Sequence, residues 1–159
     1  MKILIAYFSW SGNTRLVARQ LQKSVSCDLF EIKTVKPYPN DYYECTEVAK
    51  KEQQINVRPV LVDTVKDFDY YNVIFVGYPN WWSTIPMPLF TFFESYNFSG
   101  KMVIPFCTHG GGGLGRSVTD IKKLCPNSTV LEAISINGSN VRRAQKDVDE
   151  WLRKFNIKE

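Results

Sequence analysis

Ala6-Tyr7-Phe8-Ser9-Trp10-Ser11-Gly12-Asn13-Thr14 is the stretch on which the fold turns. It joins an apolar run, Ile3 to Phe8, to an amphipathic segment starting near Thr14, through a turn in which five of six residues are Ser, Gly, Asn or Thr. A strand that enters a helix through such a turn is built to hold an anion. The free N–H groups of the first helical turn point into the loop, and the hydroxyls of Ser9, Ser11 and Thr14 add donors. No lysine or arginine lies within the turn. A phosphate there would be held by neutral hydrogen bonds and the helix dipole, which suits the terminal phosphate of a mononucleotide better than a triphosphate with magnesium. The alternative is that Ser11 to Thr14 only cap a helix.

Outward from this turn, strand-length apolar runs recur at Lys2 to Phe8, Asp28 to Ile32, Asn72 to Gly77, Met102 to Cys107 and Thr129 to Ile136. They are mostly continuous rather than alternating, which fits strands covered on both faces. Helix-period stripes lie between them: Leu16, Val17, Leu21 and Val25; Val118, Ile121 and Leu124; and Val141, Ala144, Val148, Trp151, Leu152 and Phe155. A further helix is expected from Pro86 or Pro88 toward Tyr96, with proline in the first turn. Asp41 to Gln54 can form the remaining helix, and Val57 to Phe68 reads as an irregular connection. The alternation of strands and helices implies a parallel sheet between two helical layers with right-handed crossovers. A chain of 159 residues with no repeat, linker or low-complexity tract reads as a single domain over 1–159.

Composition narrows the function classes. No apolar run approaches the roughly 20 residues of a membrane span. Met1-Lys2 leads straight into the first strand without a signal peptide, so the expected compartment is the cytoplasm and the sequons at Asn97, Asn127 and Asn137 carry no meaning. Four cysteines occur without a CxxC pair, and His109 is the one histidine, so free thiols are expected and no metal site. The net charge of +4 is spread over helix faces, and no nucleic-acid motif accompanies it.

In open sheets of this kind a ligand sits beyond the carboxyl ends of the strands, where strand order reverses. Three loops qualify: Ser9 to Thr14, Tyr78 to Ser83 and Thr108 to Gly115. Pro79-Asn80-Trp81-Trp82-Ser83 places two adjacent tryptophans at the end of a buried strand. Either they wall a flat ring ligand, or one ring packs under the third helix and the other is idle. Thr108-His109-Gly110-Gly111-Gly112-Gly113-Leu114-Gly115 has four consecutive glycines that leave room for a ligand and permit close backbone approach. Its match to GxGxxG falls on the wrong βα turn, and Arg116 stands where a Walker A loop needs lysine. A flexible loop closing over a ring ligand needs no missing residue. His109 is either structural or a hydrogen-bond donor to that ring. A nucleophile elbow, a zinc site and paired carboxylates find no match.

With these three loops at the carboxyl ends of a five-stranded sheet, the chain resembles the flavodoxin family over essentially its whole length. The resemblance implies a flavodoxin-like three-layer α/β/α sandwich, a five-stranded parallel sheet of order 2-1-3-4-5, and flavin mononucleotide (FMN) as cofactor. Ser9, Trp10, Ser11, Gly12, Asn13 and Thr14 look like the phosphate loop. Pro79, Asn80, Trp81, Trp82 and Ser83 look like the loop against the isoalloxazine, and Thr108, His109, Gly110 and Gly111 would meet its pyrimidine edge. Two departures stand out. Carriers of this family are usually acidic, which helps them dock on basic partners, whereas this chain is at +4. Many also use a glycine peptide beside the flavin N5 that flips on reduction; Asn80, Trp81 and Trp82 would resist such a flip by about 1–2 kcal/mol more than glycine.

The resemblance therefore implies an FMN-binding electron-transfer protein working with redox partner proteins. The alternative is an FMN-dependent NAD(P)H:quinone-type oxidoreductase, since Pro79-Asn80-Trp81-Trp82 also resembles the corresponding loop of flavin-dependent quinone reductases. A monomer or weak dimer is expected, without nucleic acid or membrane. A phosphate-binding receiver domain would need acidic clusters at the first and third strand ends, which this chain lacks.

Overall fold

The structure is a computed structural model that describes residues 1–157; the last two positions of the domain expected over 1–159 lie outside the described residues. The strands are β1 (Ile3–Tyr7), β2 (Asp28–Glu31), β3 (Val73–Pro79), β4 (Met102–His109), β5 (Thr129–Val130) and β6 (Ile134–Asn137). The helices are α1 (Asn13–Ser24), α2 (Tyr42–Gln54), α3 (Met87–Glu94), α4 (Ser117–Leu124) and α5 (Gln145–Leu152). The strands pair in parallel in the order β2-β1-β3-β4-β5, with β6 also on β4 beyond β5. This is the flavodoxin-like α/β order.

The pleat sorts β1 into two cores. Leu4, Ala6 and Phe8 join Ile74, Val76, Leu89, Phe92 and Ile121 on the α3 and α4 side. Ile3, Ile5 and Tyr7 join Val73, Phe75, Val17, Leu21, Val148 and Trp151 on the α1 and α5 side. Period-2 alternation with apolar residues on both faces is what a sheet covered on both sides requires. Pro86 precedes α3 in extended conformation and Pro88 occupies its first turn, where a missing N–H costs nothing. Asp41 caps α2 by accepting from the Glu44 N–H at 2.9 Å. Val57 to Phe68 is irregular apart from the Thr34–Leu61 bridge and the start of a short 3-10 turn.

Two elements depart from the sequence reading. The strand expected over Thr129 to Ile136 is split, leaving Leu131, Glu132 and Ala133 outside both β5 and β6. Val103 pairs with Val130 and Phe106 with Ile134, so three residues bulge opposite Ile104 and Pro105. Lys101 and Val103 accept from the Thr129 and Leu131 N–H groups at 2.9 Å each, so the odd-numbered residues of β4 face the last strand. Pro105 is the next odd position, and it has no N–H to give. The helix expected over Val141 to Phe155 is also shorter. Gly138–Arg143 forms a 3-10 turn, and the α-helix begins only at Gln145.

Candidate functional site

Beyond the carboxyl ends of β1, β3, β4 and β6 lies a cleft of about 690 Å³, within the ordinary range for a small-molecule site. Among the expected residues, Trp10, Ser11, Asn13, Thr14, Pro79, Asn80, Trp81, Trp82, Thr108, His109 and Gly110 line it. Ser9, Gly12, Ser83 and Gly111 do not; of these, Gly111 donates its N–H to the lining residue His109. No Asp, Glu, Lys or Arg side chain is among the lining.

The turn after β1 is preformed. Gly12 at φ 100° lets the chain enter α1, and its carbonyl accepts from Leu16 N–H at 3.0 Å. Ser9 Oγ accepts from the N–H groups of Gly12 (3.2 Å) and Arg15 (3.3 Å), so this hydroxyl folds the loop. Asn13 and Thr14 open the helix, where N–H groups have no intrahelical acceptor. Thr14 is buried, and its Oγ1 lies 2.8 Å from Thr108 Oγ1, tying the turn to the end of β4. One of the two hydroxyls donates to the other, and the acceptor keeps a proton to offer. Arg15 points away, onto Glu31 at 2.6 Å. Burial pushes the Glu31 carboxyl up, but the Arg15 and Tyr7 hydrogen bonds outweigh it and hold the group below its ordinary value.

The aromatic loop is a tight turn. Trp81 N–H donates to Thr84 O at 2.9 Å and Thr84 N–H to Trp81 O at 3.3 Å, with Trp82 and Ser83 at φ 52° and 72°. Two consecutive positive φ values define a type I′ turn, which costs a non-glycine residue about 1–2 kcal/mol at each position. The turn is held from outside. Arg116 N–H donates to Ser83 O at 2.7 Å, Trp82 Nε1 donates to Thr46 O at 2.9 Å, and Asn80 N–H donates to Thr108 O at 2.8 Å. The two tryptophans part company. Trp81 packs edge-on against Phe8 and Tyr38, with centroids at 5.3 and 5.0 Å. Trp82 stays exposed, with Lys50 Nζ 5.2 Å from its ring.

The glycine run does not fold over the cleft as the sequence suggests. Asn80 Nδ2 donates to Gly113 O at 2.8 Å, and Gly115 at φ 51° approaches the Ser83 carbonyl so closely that a Cβ would collide with it. The run braces the aromatic loop from behind, and only Gly110 of the four consecutive glycines reaches the cleft. His109 Nδ1 accepts from Gly111 N–H at 2.9 Å, so the neutral ring carries its proton on Nε2 as a donor.

Sequence reading missed two parts of the lining. Tyr42, Tyr43, Cys45, Thr46 and Ala49 come from α2, while Asn137 ends β6 and Gly138 and Ser139 follow it. Gly138 is a close approach, since a Cβ there would press on Asn13 Nδ2. Signals existed in the Tyr42-Tyr43 pair just inside an Asp41 cap, and in Pro105 as the cause of the bulge that sets where β6 ends. Burial, then the Glu52 charge, pushes the Cys45 thiol up to about 11, and burial pushes Cys107 up to about 12, so both stay neutral near pH 7. All four cysteines are free. Among the described residues no cluster of His, Cys, Asp or Glu could hold a metal, and no helix is long and apolar enough to cross a membrane.

A doubly wound parallel sheet of this order, with its cleft beyond the carboxyl ends of the strands at the switch point, defines a flavodoxin-like α/β class of fold. Residues 2–155 match the family model described as Flavodoxin, and the chain belongs to the flavodoxin family. Among solved structures, a protein from Bacteroides eggerthii described as a candidate flavoprotein is 32% identical, with 99% of each chain covered and a TM-score of 0.83. A flavoprotein from Lactobacillus acidophilus, solved in complex with FMN, is 25% identical over 89% of this chain and 97% of that one, with a TM-score of 0.74. Flavodoxin 2 from Bacillus cereus shares the fold at 16% identity, 98% and 100% coverage and a TM-score of 0.56. No curated protein matches the sequence significantly.

Proposed function

We propose that this protein binds FMN in the 690 Å³ cleft and works as an electron-transfer flavoprotein. One observation carries the reading: the neutral anion turn and both tryptophans line a single cleft that has no charged side chain. The donor set fits the group. The N–H groups of Asn13 and Thr14 and the Ser11 hydroxyl would hold the phosphate without a counter-cation. Pro79, Asn80, Trp81 and Trp82 would flank the isoalloxazine. Thr108, the His109 Nε2–H and the Gly110 backbone would meet its polar edge. Support also comes from the Lactobacillus acidophilus relative in its FMN complex. When bound, the flavin supplies a store for one or two electrons. The chain's residues bind it, orient it and exclude water from one face.

A second reading is an FMN-dependent reductase taking hydride from NAD(P)H and passing it to a quinone. The observation that favours it is the braced Trp81 to Thr84 turn. A peptide flip there would break hydrogen bonds from Arg116 and within the turn itself, which disfavours one-electron tuning by the loop. The two readings separate in an anaerobic reductive titration of the FMN-loaded protein. A transient long-wavelength absorption band means one-electron transfer and protein partners. Direct bleaching without it favours the two-electron reductase, with a nicotinamide and a quinone as reactants.

A further inference from the structure

We propose that Gly138, just past the end of β6, is a positioning residue for the phosphate end of the cleft. Its missing side chain leaves the room in which the Asn13 amide stands as a donor. The proposal deepens the FMN reading above and rests on it.

The last strand brings the two residues together. Because β6 rejoins β4 beyond the bulge, Asn137 pairs with His109 at the end of β4, and Gly138 lands beside the first residue of α1. A Cβ at Gly138 would lie 2.8 Å from Asn13 Nδ2 and 3.7 Å from His109 O. The first distance is a collision and the second an ordinary contact. Gly138 does not have a positive φ, so its backbone makes no demand for glycine. The demand is for space, and Asn13 uses that space.

The Asn13 amide is free to serve a ligand. The side-chain hydrogen bonds of the β1–α1 turn run through Ser9 and Thr14, and among the described residues the Asn13 amide takes part in none of them. Asn13 lines the cleft, and its amide offers two N–H donors. With no charged side chain among the lining, neutral donors must carry all of an anion's binding. Each donor to a charged acceptor is worth more than one to a neutral group.

The corner around Gly138 is tied on both sides, so it does not yield in place of the amide. Asn137 Oδ1 accepts from the Ser139 N–H and hydroxyl at 3.0 and 2.9 Å. Beyond it, buried Gln20 of α1 donates from Nε2 to Val141 O at 2.7 Å. A methyl group at Gly138 therefore displaces the end of the Asn13 side chain, which turns about its own bonds between rotamers. The donor loses its aim, while the aromatic loop is left untouched.

The test measures FMN and riboflavin affinities, by quenching of flavin fluorescence, for the wild-type protein, Gly138→Ala, Asn13→Ala and the double variant. Gly138→Ala is expected to weaken FMN by about tenfold and riboflavin, which lacks the phosphate, by less than about twofold. Asn13→Ala should do the same. The double variant should bind FMN as Asn13→Ala does, because the methyl group then has nothing to displace. Equal loss of both flavins in Gly138→Ala, unchanged FMN affinity, or losses that add in the double variant overturn the role given to Gly138. Circular dichroism checks folding. If Gly138→Ala does not fold, the double variant carries the test, since it lacks the colliding amide. It should fold and match Asn13→Ala, and a double variant that stays unfolded or binds FMN more weakly overturns the proposal. A wild-type protein that binds neither flavin overturns the FMN reading itself.

Discussion

The β1–α1 turn and helix α2 border the same cleft, yet they are tied into the molecule by different means. The turn rests on buried groups: Thr14 against Thr108 at 2.8 Å, Ser9 Oγ on two N–H groups, and β1 packed on both faces. Helix α2 buries only Cys45 and Ala49. It hangs on Trp82 Nε1 to Thr46 O and on Tyr38 OH to Glu52 at 2.5 Å. A wall with few buried contacts opens at lower free energy than one fixed in the core. The cleft thus has one wall fixed in the core and one held more loosely; under the proposed reading, a phosphate would meet fixed dipoles at the first and a flat ring would be admitted at the second by local motion.

Trp81 is where the two walls meet, since it touches Phe8 of β1's chain segment and Tyr38 of the strap before α2. Trp81→Ala is expected to produce the largest effect, a loss of about 3 kcal/mol in urea unfolding. A loss below about 1 kcal/mol would mean that the walls are independent. Next comes Thr14→Val, which leaves the buried Thr108 hydroxyl without its partner and should cost about 1–3 kcal/mol. The double variant with Thr108→Val should recover part of that loss. Strict additivity would show that the hydroxyl pair does not couple the turn to β4.

Trp82→Ala sharpens the contrast from the other side. Its ring is exposed and tied to α2 alone, so FMN affinity should fall by about 1–3 kcal/mol while unfolding stability changes by about 0.5 kcal/mol or less. Tyr38→Phe is the smallest of the set. It removes the Glu52 hydrogen bond, and faster hydrogen exchange confined to α2 is expected, with global stability lowered by less than about 1 kcal/mol.

The two walls should also answer pH in opposite directions. The Glu31 carboxyl, held down by Arg15 and Tyr7 against its burial, contributes stability above its unfolded pKa that is lost as pH falls through the folded value. Burial raises Glu52 beyond what Tyr38 and Lys36 offset. Its contribution is complete below the unfolded pKa and is lost as pH rises through the shifted value. Hydrogen exchange followed across the acid range should show the turn loosening as pH drops and α2 loosening as pH climbs. The same pH response at both places would remove the distinction between them.

The turn was legible because its chemistry is local: a continuous apolar strand, then hydroxyls and glycine, then a helix, all within nine residues. Alternation and handedness gave a parallel sheet with right-handed crossovers, and the strand order came from the family resemblance. What could not be read arrives through tertiary placement. Tyr42, Tyr43 and Thr46 reach the cleft because a long crossover lays α2 across it, and no local pattern states where a crossover lands. The glycine run was read as a flap because glycine permits motion. Its actual use depends on the Ser83 carbonyl, which a linear reading does not place beside Gly115. The split last strand was within reach, since Pro105 in the middle of a buried run signals a missing hydrogen bond on one side.

The most direct test of the site is an equilibrium titration of the flavin-free protein with FMN and, separately, with riboflavin. Saturable binding of one FMN is expected, with riboflavin weaker by about a hundredfold or more, because only FMN carries the phosphate that the Asn13 and Thr14 N–H groups and Ser11 would hold. Equal affinity for the two flavins, or no binding of FMN, would contradict the assignment of the β1–α1 turn as a phosphate site.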